Sequence, residues 1–315
     1  MLLITTHALS WALARKPLVR HLRPVNSTQS TLMDALDLVS NLRGFGWEWS
    51  HSMYIPRGTR PSNRTGFILH TVLSATVNVF AFGILHMAIR SFTYFSGGSI
   101  FDESLPFYLR FLRSSIIAIL VLQWVYAVGQ AIYDLCTLFG VLALGQDTVQ
   151  WPPAFADPWR STSVSDFWGR RWHQWIRYTL LVLGGYPLSF ILGQAGIVIG
   201  AFFASALFHH ILLLTLNSKS KFWRMLVGYG MMAFGIILEQ LFKHVTGRKV
   251  RGLAGWVWTG GWILLWGNVI ADGYTRTGGF GLATPIDFVL PVRMLVEYLV
   301  TEFDSWLHAI SSAKA

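Results

Sequence analysis

Six stretches of this chain are each about twenty residues long and almost wholly apolar: about 67–89, 114–144, 176–192, 194–216, 222–242 and 253–274. A run of that length crosses the hydrocarbon of a bilayer as a helix, since lipid offers no partner to a free backbone N–H or C=O. A seventh run, about 286–300, is weaker because Pro291, Arg293 and Glu297 interrupt it. Composition agrees: 53% of the 315 residues are hydrophobic and 13% charged, with 15 Trp, 22 Phe and a mean hydropathy of +0.46. Soluble domains carry about 25% charged residues. The expected fold is therefore all-α, a polytopic transmembrane bundle of about six to seven spans.

The segment "LGGYPLSFILGQAG" (183–196) carries Pro187 and four glycines between two of the runs. It fits either a tight hairpin joining two spans or a broken helix facing a cavity. The opening "MLLITTHALSWALARK" has a short apolar run with no basic residue ahead of it, and reads neither as a signal peptide nor as a span. Residues 1–66 are expected to form a cytosolic, partly amphipathic N-terminal segment, and 67–315 the membrane-embedded domain. Cys136 is the single cysteine, so neither an intramolecular disulfide nor a cysteine-rich zinc site can form.

The net charge of +10 sits mostly between the apolar runs. That pattern points to membrane orientation and to contact with anionic lipid or a phosphorylated co-substrate. No nucleic-acid module is recognisable, and no nucleic-acid partner is expected. If sides alternate at every run, the excess of Lys and Arg places the N-terminus and residues 145–175 in the cytosol.

Ionisable groups at membrane depth are costly, which makes each one a functional candidate. The apolar runs hold His70, His86, Asp134, His209, His210, Glu239 and Asp272. In "FFASALFHHILLL" (202–214) adjacent helical residues point about 100° apart, so His209 and His210 cannot both face one cavity. Ser205 lies four residues before His209, on the same face. That spacing suits a nucleophile and its base, but a membrane-helix serine more often bonds its own backbone or lets helices pack. Cys136 has nothing basic near it in sequence. "DALD" sets Asp34 and Asp37 on one helical face, where a solvated pair outweighs a magnesium site. "GRKVRG" (247–252) reads as a headgroup contact. No metal site is expected.

"SDFWGRRWHQW" (165–175) packs Arg170, Arg171 and His173 among Trp168, Trp172 and Trp175 at the edge of an apolar run. By itself this could be an interfacial anchor. Taken with "SALFHH" (205–210), "FGIILEQLF" and "LRGFGWEW" (42–49), it resembles the wax-synthase-like branch of the membrane-bound O-acyltransferase superfamily. The last stretch is similar to fungal members that acetylate terpenoid or polyketide metabolites. Over about residues 40–300 the resemblance implies an internal reaction chamber, an acyl-CoA donor, a hydroxyl acceptor and an intramembrane histidine, here His209. His173 stands where other branches have Asn, Ala206 replaces a Gly, and His210 replaces a Glu found in many members. Residues 1–40 hold none of the N-terminal spans that the resemblance implies.

The implied protein is an integral membrane acyl-CoA:alcohol O-acyltransferase of the endoplasmic reticulum, with acetyl-CoA as co-substrate and a hydrophobic alcohol as acceptor. His209 would act as general base and His173 or the Trp172 indole as oxyanion donor; Arg170, Arg171 and Trp172 would form the donor-binding rim. Competing readings are a long-chain wax-ester synthase, a membrane terpenoid cyclase using Glu239 or Asp272 as acid, and a small-molecule transporter.

Overall fold

The computed structural model describes residues 8, 11–12, 16–21, 30–41, 43–50, 54–56, 58–94, 98–216 and 220–313. The first residues of the opening segment, Leu42 of "LRGFGWEW", and the basic residues Arg15, Arg23, Arg57 and Lys219 lie outside them. Among the described residues, extended pairing is confined to a single bridge, Arg20 to Trp47. Everything else of regular structure is helical. The longer helices are α1 (Thr31–Ser40), α2 (Arg64–Thr93), α3 (Phe107–Leu142), α4 (Tyr186–Leu216), α5 (Phe222–Thr246), α6 (Gly252–Thr275) and α7 (Leu290–Ser312).

Four described stretches are long and apolar enough to cross a membrane: Arg64–Thr93, Phe107–Leu142, Gln174–Leu216 and Phe222–Thr246. Their outward faces carry Leu69, Leu73, Phe139 and Phe190, while Thr71, Asp134 and Thr137 are buried. That inversion of the water-soluble pattern is stable only when lipid covers the outside. Trp- and Gly-rich α6 is not among these four, and α7 carries Arg293, Glu297, Glu302 and Asp304.

The chain divides into two compact units. Unit 1 comprises Met1–Leu73, Ile132–Ala204 and Ala233–Thr259. In it α1 exposes Leu32, Leu36 and Val39, while Asp37 is buried. The solvated reading of "DALD" is thereby corrected. Asp37 accepts from Trp47 Nε1 at 2.8 Å and Gln150 Nε2 at 3.0 Å, and Arg20 pairs with Asp34 at 2.9 Å. A helical face cannot announce partners that distant in sequence. Asp134, at membrane depth in α3, is neutralised by Arg60 at 2.6 Å.

α4 is two arms joined at Gly193, whose φ of 56° and ψ of −137° no L-residue adopts cheaply. A Cβ on Gly184 would lie 2.0 Å from the Gly200 carbonyl oxygen, and one on Gly196 would lie 2.3 Å from that of Leu188. Those pairs step outward from the bend, so the arms run antiparallel with their backbones touching. Of the two readings of the glycine-rich break, the hairpin is the one formed.

Unit 2 comprises Ser74–Ala131, Ser205–Met232 and Gly260–Ala315. Arg113 is buried and grips Asp304 of α7 through Nε at 2.8 Å and NH2 at 2.9 Å, with further bonds to the carbonyls of Phe92 and Ile100. Leu105, Leu109 and Leu307 pack beside this pair. Arg90 pairs with Asp287 just before α7.

The carboxylate of Asp272 is the other hub of unit 2. It accepts from Ser99 Oγ and Ile100 N at 3.2 Å each, from Arg224 Nε at 2.9 Å and from Arg276 Nε at 2.7 Å. Strict alternation of six crossings would have put Ser99, which follows α2, across the membrane from Arg224 and Arg276. These residues meet, so alternation fails between α2 and α5.

Candidate active site

In unit 1 the motif 165–175 folds as a short turn with little freedom. Ser163 caps it by accepting from Asp166 N at 2.9 Å; one α-turn follows, and Phe167–Arg171 then widens into a π-turn. Single π-turns of this kind concentrate at functional sites. Glu239 of α5 sits at the start of the turn, accepting from Val164 N at 2.6 Å, Ser165 N at 3.0 Å and Trp258 Nε1 at 2.9 Å. A carboxylate on free N–H groups at a helix start is a cap supplied from elsewhere in the chain. Gly255 lets α6 come close: a Cβ there would lie 2.2 Å from the Thr162 carbonyl oxygen.

The motif side chains divide by role. Trp172 is buried, stacked on Phe167 with ring centres 5.2 Å apart and planes 16° apart. Arg171 donates from Nε to Asp166 at 2.6 Å and from NH1 to the carbonyls of Ala156 and Asp157. Arg170 is exposed, its guanidinium 5.9 Å from the Tyr54 ring centre. The His173 ring is half-buried between Trp172, 5.3 Å away, and Trp168, 6.1 Å away. Gln174 is buried and donates to the carbonyls of Trp168 and Trp172, which fixes the exit of the turn.

His209 belongs to unit 2. It is buried on the second arm of α4, stacked on Tyr229 with ring centres 4.8 Å apart and planes 7° apart. Its Nδ1 is hydrogen-bonded to Tyr274 Oη at 2.6 Å, and Tyr274 is hydrogen-bonded in turn to Tyr229. Its Nε2 is buried with no hydrogen-bond partner among the described residues. A ring held at one nitrogen and bare at the other is what an acid–base group needs while its substrate is absent.

The neighbouring candidates fare differently. His210 diverges, as the helical geometry requires, toward Ser220 Oγ at 3.4 Å and the Phe222 ring. His86 donates from Nε2 to the Leu282 carbonyl at 2.8 Å and packs on Phe280 and Trp124. Asp134, Glu239 and Asp272 are all held by the hydrogen bonds described above. Ser205 is buried one turn before His209, and Cys136 is exposed on α3. Among the described residues no three His, Cys, Asp or Glu side chains gather closely enough to hold a metal ion. Thus Arg170, Arg171, Trp172 and His173 are brought together in unit 1, with His209 set in unit 2.

Sequence reasoning missed Tyr229 and Tyr274, aromatic residues in apolar helices with nothing to set them apart. It also left Glu239 without a role. The signal there was a carboxylate in an apolar run, whose backbone partners, 74 and 75 residues earlier, no local pattern displays.

The fold defines a helical membrane protein, with a folded Trp–Arg–His turn in unit 1 and a buried histidine in an apolar helix of unit 2. The family model for the membrane bound O-acyl transferase family matches residues 151–234, which include both. Among curated relatives, the O-mevalon transferase yanI of Aspergillus niger is 26% identical over 174 residues, covering 50% of this chain and 37% of that protein. The acetyltransferase ple2 of Rhodocybe pseudopiperita is 28% identical, covering 50% and 40%. A long-chain-alcohol O-fatty-acyltransferase of Simmondsia chinensis is 28% identical, covering 36% and 37%. The chain is thus similar to O-acyltransferases and spans about two-fifths of the length of these relatives. No solved structure matches it.

Proposed function

We propose that the chain is an acyl-CoA-dependent O-acyltransferase that esterifies a hydroxyl of a hydrophobic metabolite, such as a terpenoid or polyketide, with acetyl-CoA as donor. The observation that carries this is the bare, buried Nε2 of His209 on a ring anchored at Nδ1. When Nδ1–H donates to Tyr274 Oη, and Tyr274 donates to Tyr229, the lone pair resides on Nε2. That nitrogen takes the proton of the acceptor hydroxyl as its oxygen attacks the thioester carbonyl. Collapse of the tetrahedral intermediate breaks the C–S bond, and the proton passes from Nε2 to the departing CoA thiolate. No enzyme nucleophile is required, so Ser205 and Cys136 take no covalent part.

In this reading the 165–175 turn is the rim that receives the donor. Arg170 meets the CoA phosphates directly, and Arg171 does so through NH2, the nitrogen that Asp166 and the two carbonyls leave unused. His173 or the Trp172 indole supplies the proton that steadies the oxyanion.

The chain would sit in the endoplasmic reticulum membrane with its N-terminus cytosolic. The Lys and Arg excess in the connections supports that orientation.

Membranes containing the full chain, incubated with radiolabelled acetyl-CoA and a panel of hydroxylated terpenoids, should yield a labelled ester that His209→Ala removes. The same assay with fatty acyl-CoA and long alcohols tests the second reading, which the Simmondsia relative favours. An ester formed equally by His209→Ala would sink the assignment.

A further inference from the structure

Unit 2 contains a pocket of about 110 Å³ lined by Ser220, Lys221, Arg224, Gly273, Arg276 and Thr277. Its charge is lopsided. Arg224 and Arg276 both turn their Nε toward one oxygen of Asp272, which has Ser99 Oγ and Ile100 N on the other. One carboxylate thus aims two guanidinium groups and cancels only one of them. Arg276 also reaches Ser99 through NH2 at 2.7 Å, while the terminal nitrogens of Arg224 have no hydrogen-bond partner among the described residues. Trp223 lies 4.7 Å from the Arg224 guanidinium and covers its face. Lys221 is exposed and forms no ion pair among the described residues.

We infer that this pocket binds a phosphate group. Three cations against one carboxylate leave two positive charges uncompensated, and a phosphomonoester carries about −1.5 to −2. Guanidinium forks held by a carboxylate behind them are preorganised for the oxygens of such a group, and the hydroxyl of Ser220 adds a donor at the rim. The class of ligand is a phosphate ester, and two sources carry one: an anionic phospholipid headgroup and the nucleotide of CoA. The orientation proposed above favours the headgroup. A cytosolic N-terminus followed by one crossing in α2 puts Ser99, and the arginines bonded with it to Asp272, on the non-cytosolic face, away from a cytosolic CoA pool. That preference rests on the proposed orientation; the phosphate site itself does not.

The test is calorimetric binding to the purified full chain in phosphatidylcholine nanodiscs, with short-chain phosphatidic acid and CoA as separate probes, and with no turnover measured. Lys221→Gln alters only an exposed side chain, and Arg276→Gln leaves Arg224 on Asp272, so both variants keep the fold. Each should weaken the bound probe roughly tenfold, and higher salt should weaken it further. Loss confined to phosphatidic acid identifies a headgroup site, and loss confined to CoA identifies a nucleotide site. If the wild type binds neither probe, or if both variants bind both as the wild type does, the inference is overturned, whatever the acyl-transfer assay shows.

Discussion

Tyr274 decides what His209 can do. An imidazole free to choose its tautomer spends part of its time with a proton on Nε2, where it cannot accept one from an alcohol. Tyr274→Phe removes the hydrogen bond on Nδ1 and keeps the ring stack on Tyr229. Loss of a neutral hydrogen bond is worth about 0.5–1.5 kcal/mol, so kcat should fall about three- to tenfold with the donor KM unchanged. His209→Ala should abolish turnover, and His210→Ala should be milder because its ring points to Ser220. Steady-state kinetics in membranes check all three. Unaltered kcat in Tyr274→Phe would show that the anchor is not used. Ser205→Ala should keep most activity, and double-reciprocal plots should intersect, as direct attack requires. Of these residues, only the histidines and Ser205 were legible in sequence. A tyrosine that anchors a base looks like any tyrosine that fills a core until the helix carrying it is packed.

Two elements hold the geometry, and each admits a sharp substitution. In the α4 hairpin the backbones touch at Gly184 and Gly200, where a Cβ on Gly200 would lie 2.1 Å from the opposing carbonyl oxygen. Gly200→Ala must therefore splay the arms, and it should lower thermal stability and activity together. Gly260→Ala, with nothing within 4 Å, should be neutral or stabilising, since Ala exceeds Gly in helix propensity by about 1 kcal/mol. Unfolding followed by tryptophan fluorescence in detergent separates the two. Equal melting temperatures for Gly200→Ala and the wild type would contradict the contact. The second element is the turn capped by Glu239. Glu239→Gln keeps one acceptor oxygen where three donors converge, and should cost on the order of 1.5–3 kcal/mol for weakened charge-assisted bonds. Because the turn carries Arg170, the donor KM should rise as well. The sequence showed that 183–196 must break and that 165–175 must matter. It could not show how either folds, because both outcomes depend on backbone contacts between residues that no helical or strand period relates.

For the whole molecule, hydropathy located the helices, while strict alternation of sides conflicts with the meeting of Ser99, Arg224 and Arg276 on Asp272. Runs of apolar residues mark where a chain enters lipid, but they do not show which ends of the helices meet. The Asp272 cluster makes this measurable. Glycosylation acceptor sites or cysteine tags inserted at Gly98 and at Gly279 should report the same membrane face, because Ser99 and Arg276 are hydrogen-bonded to each other. Labelling on opposite faces would restore strict alternation.

The pairing of Arg113 with Asp304 bears on how the protein is made. Its two members are 191 residues apart, and the arginine is almost fully enclosed. During synthesis α3 therefore enters the bilayer carrying a guanidinium whose counter-ion has not yet been translated. Until α7 arrives, that charge must be held by water, by lipid phosphate or by the insertion machinery, at a cost of several kcal/mol if left bare. Arrival of α7 would thus complete the pair. A ribosome halted before codon 304, or an Asp304→Ala chain, should leave α3 insecurely inserted and marked for degradation, although every apolar run upstream is intact.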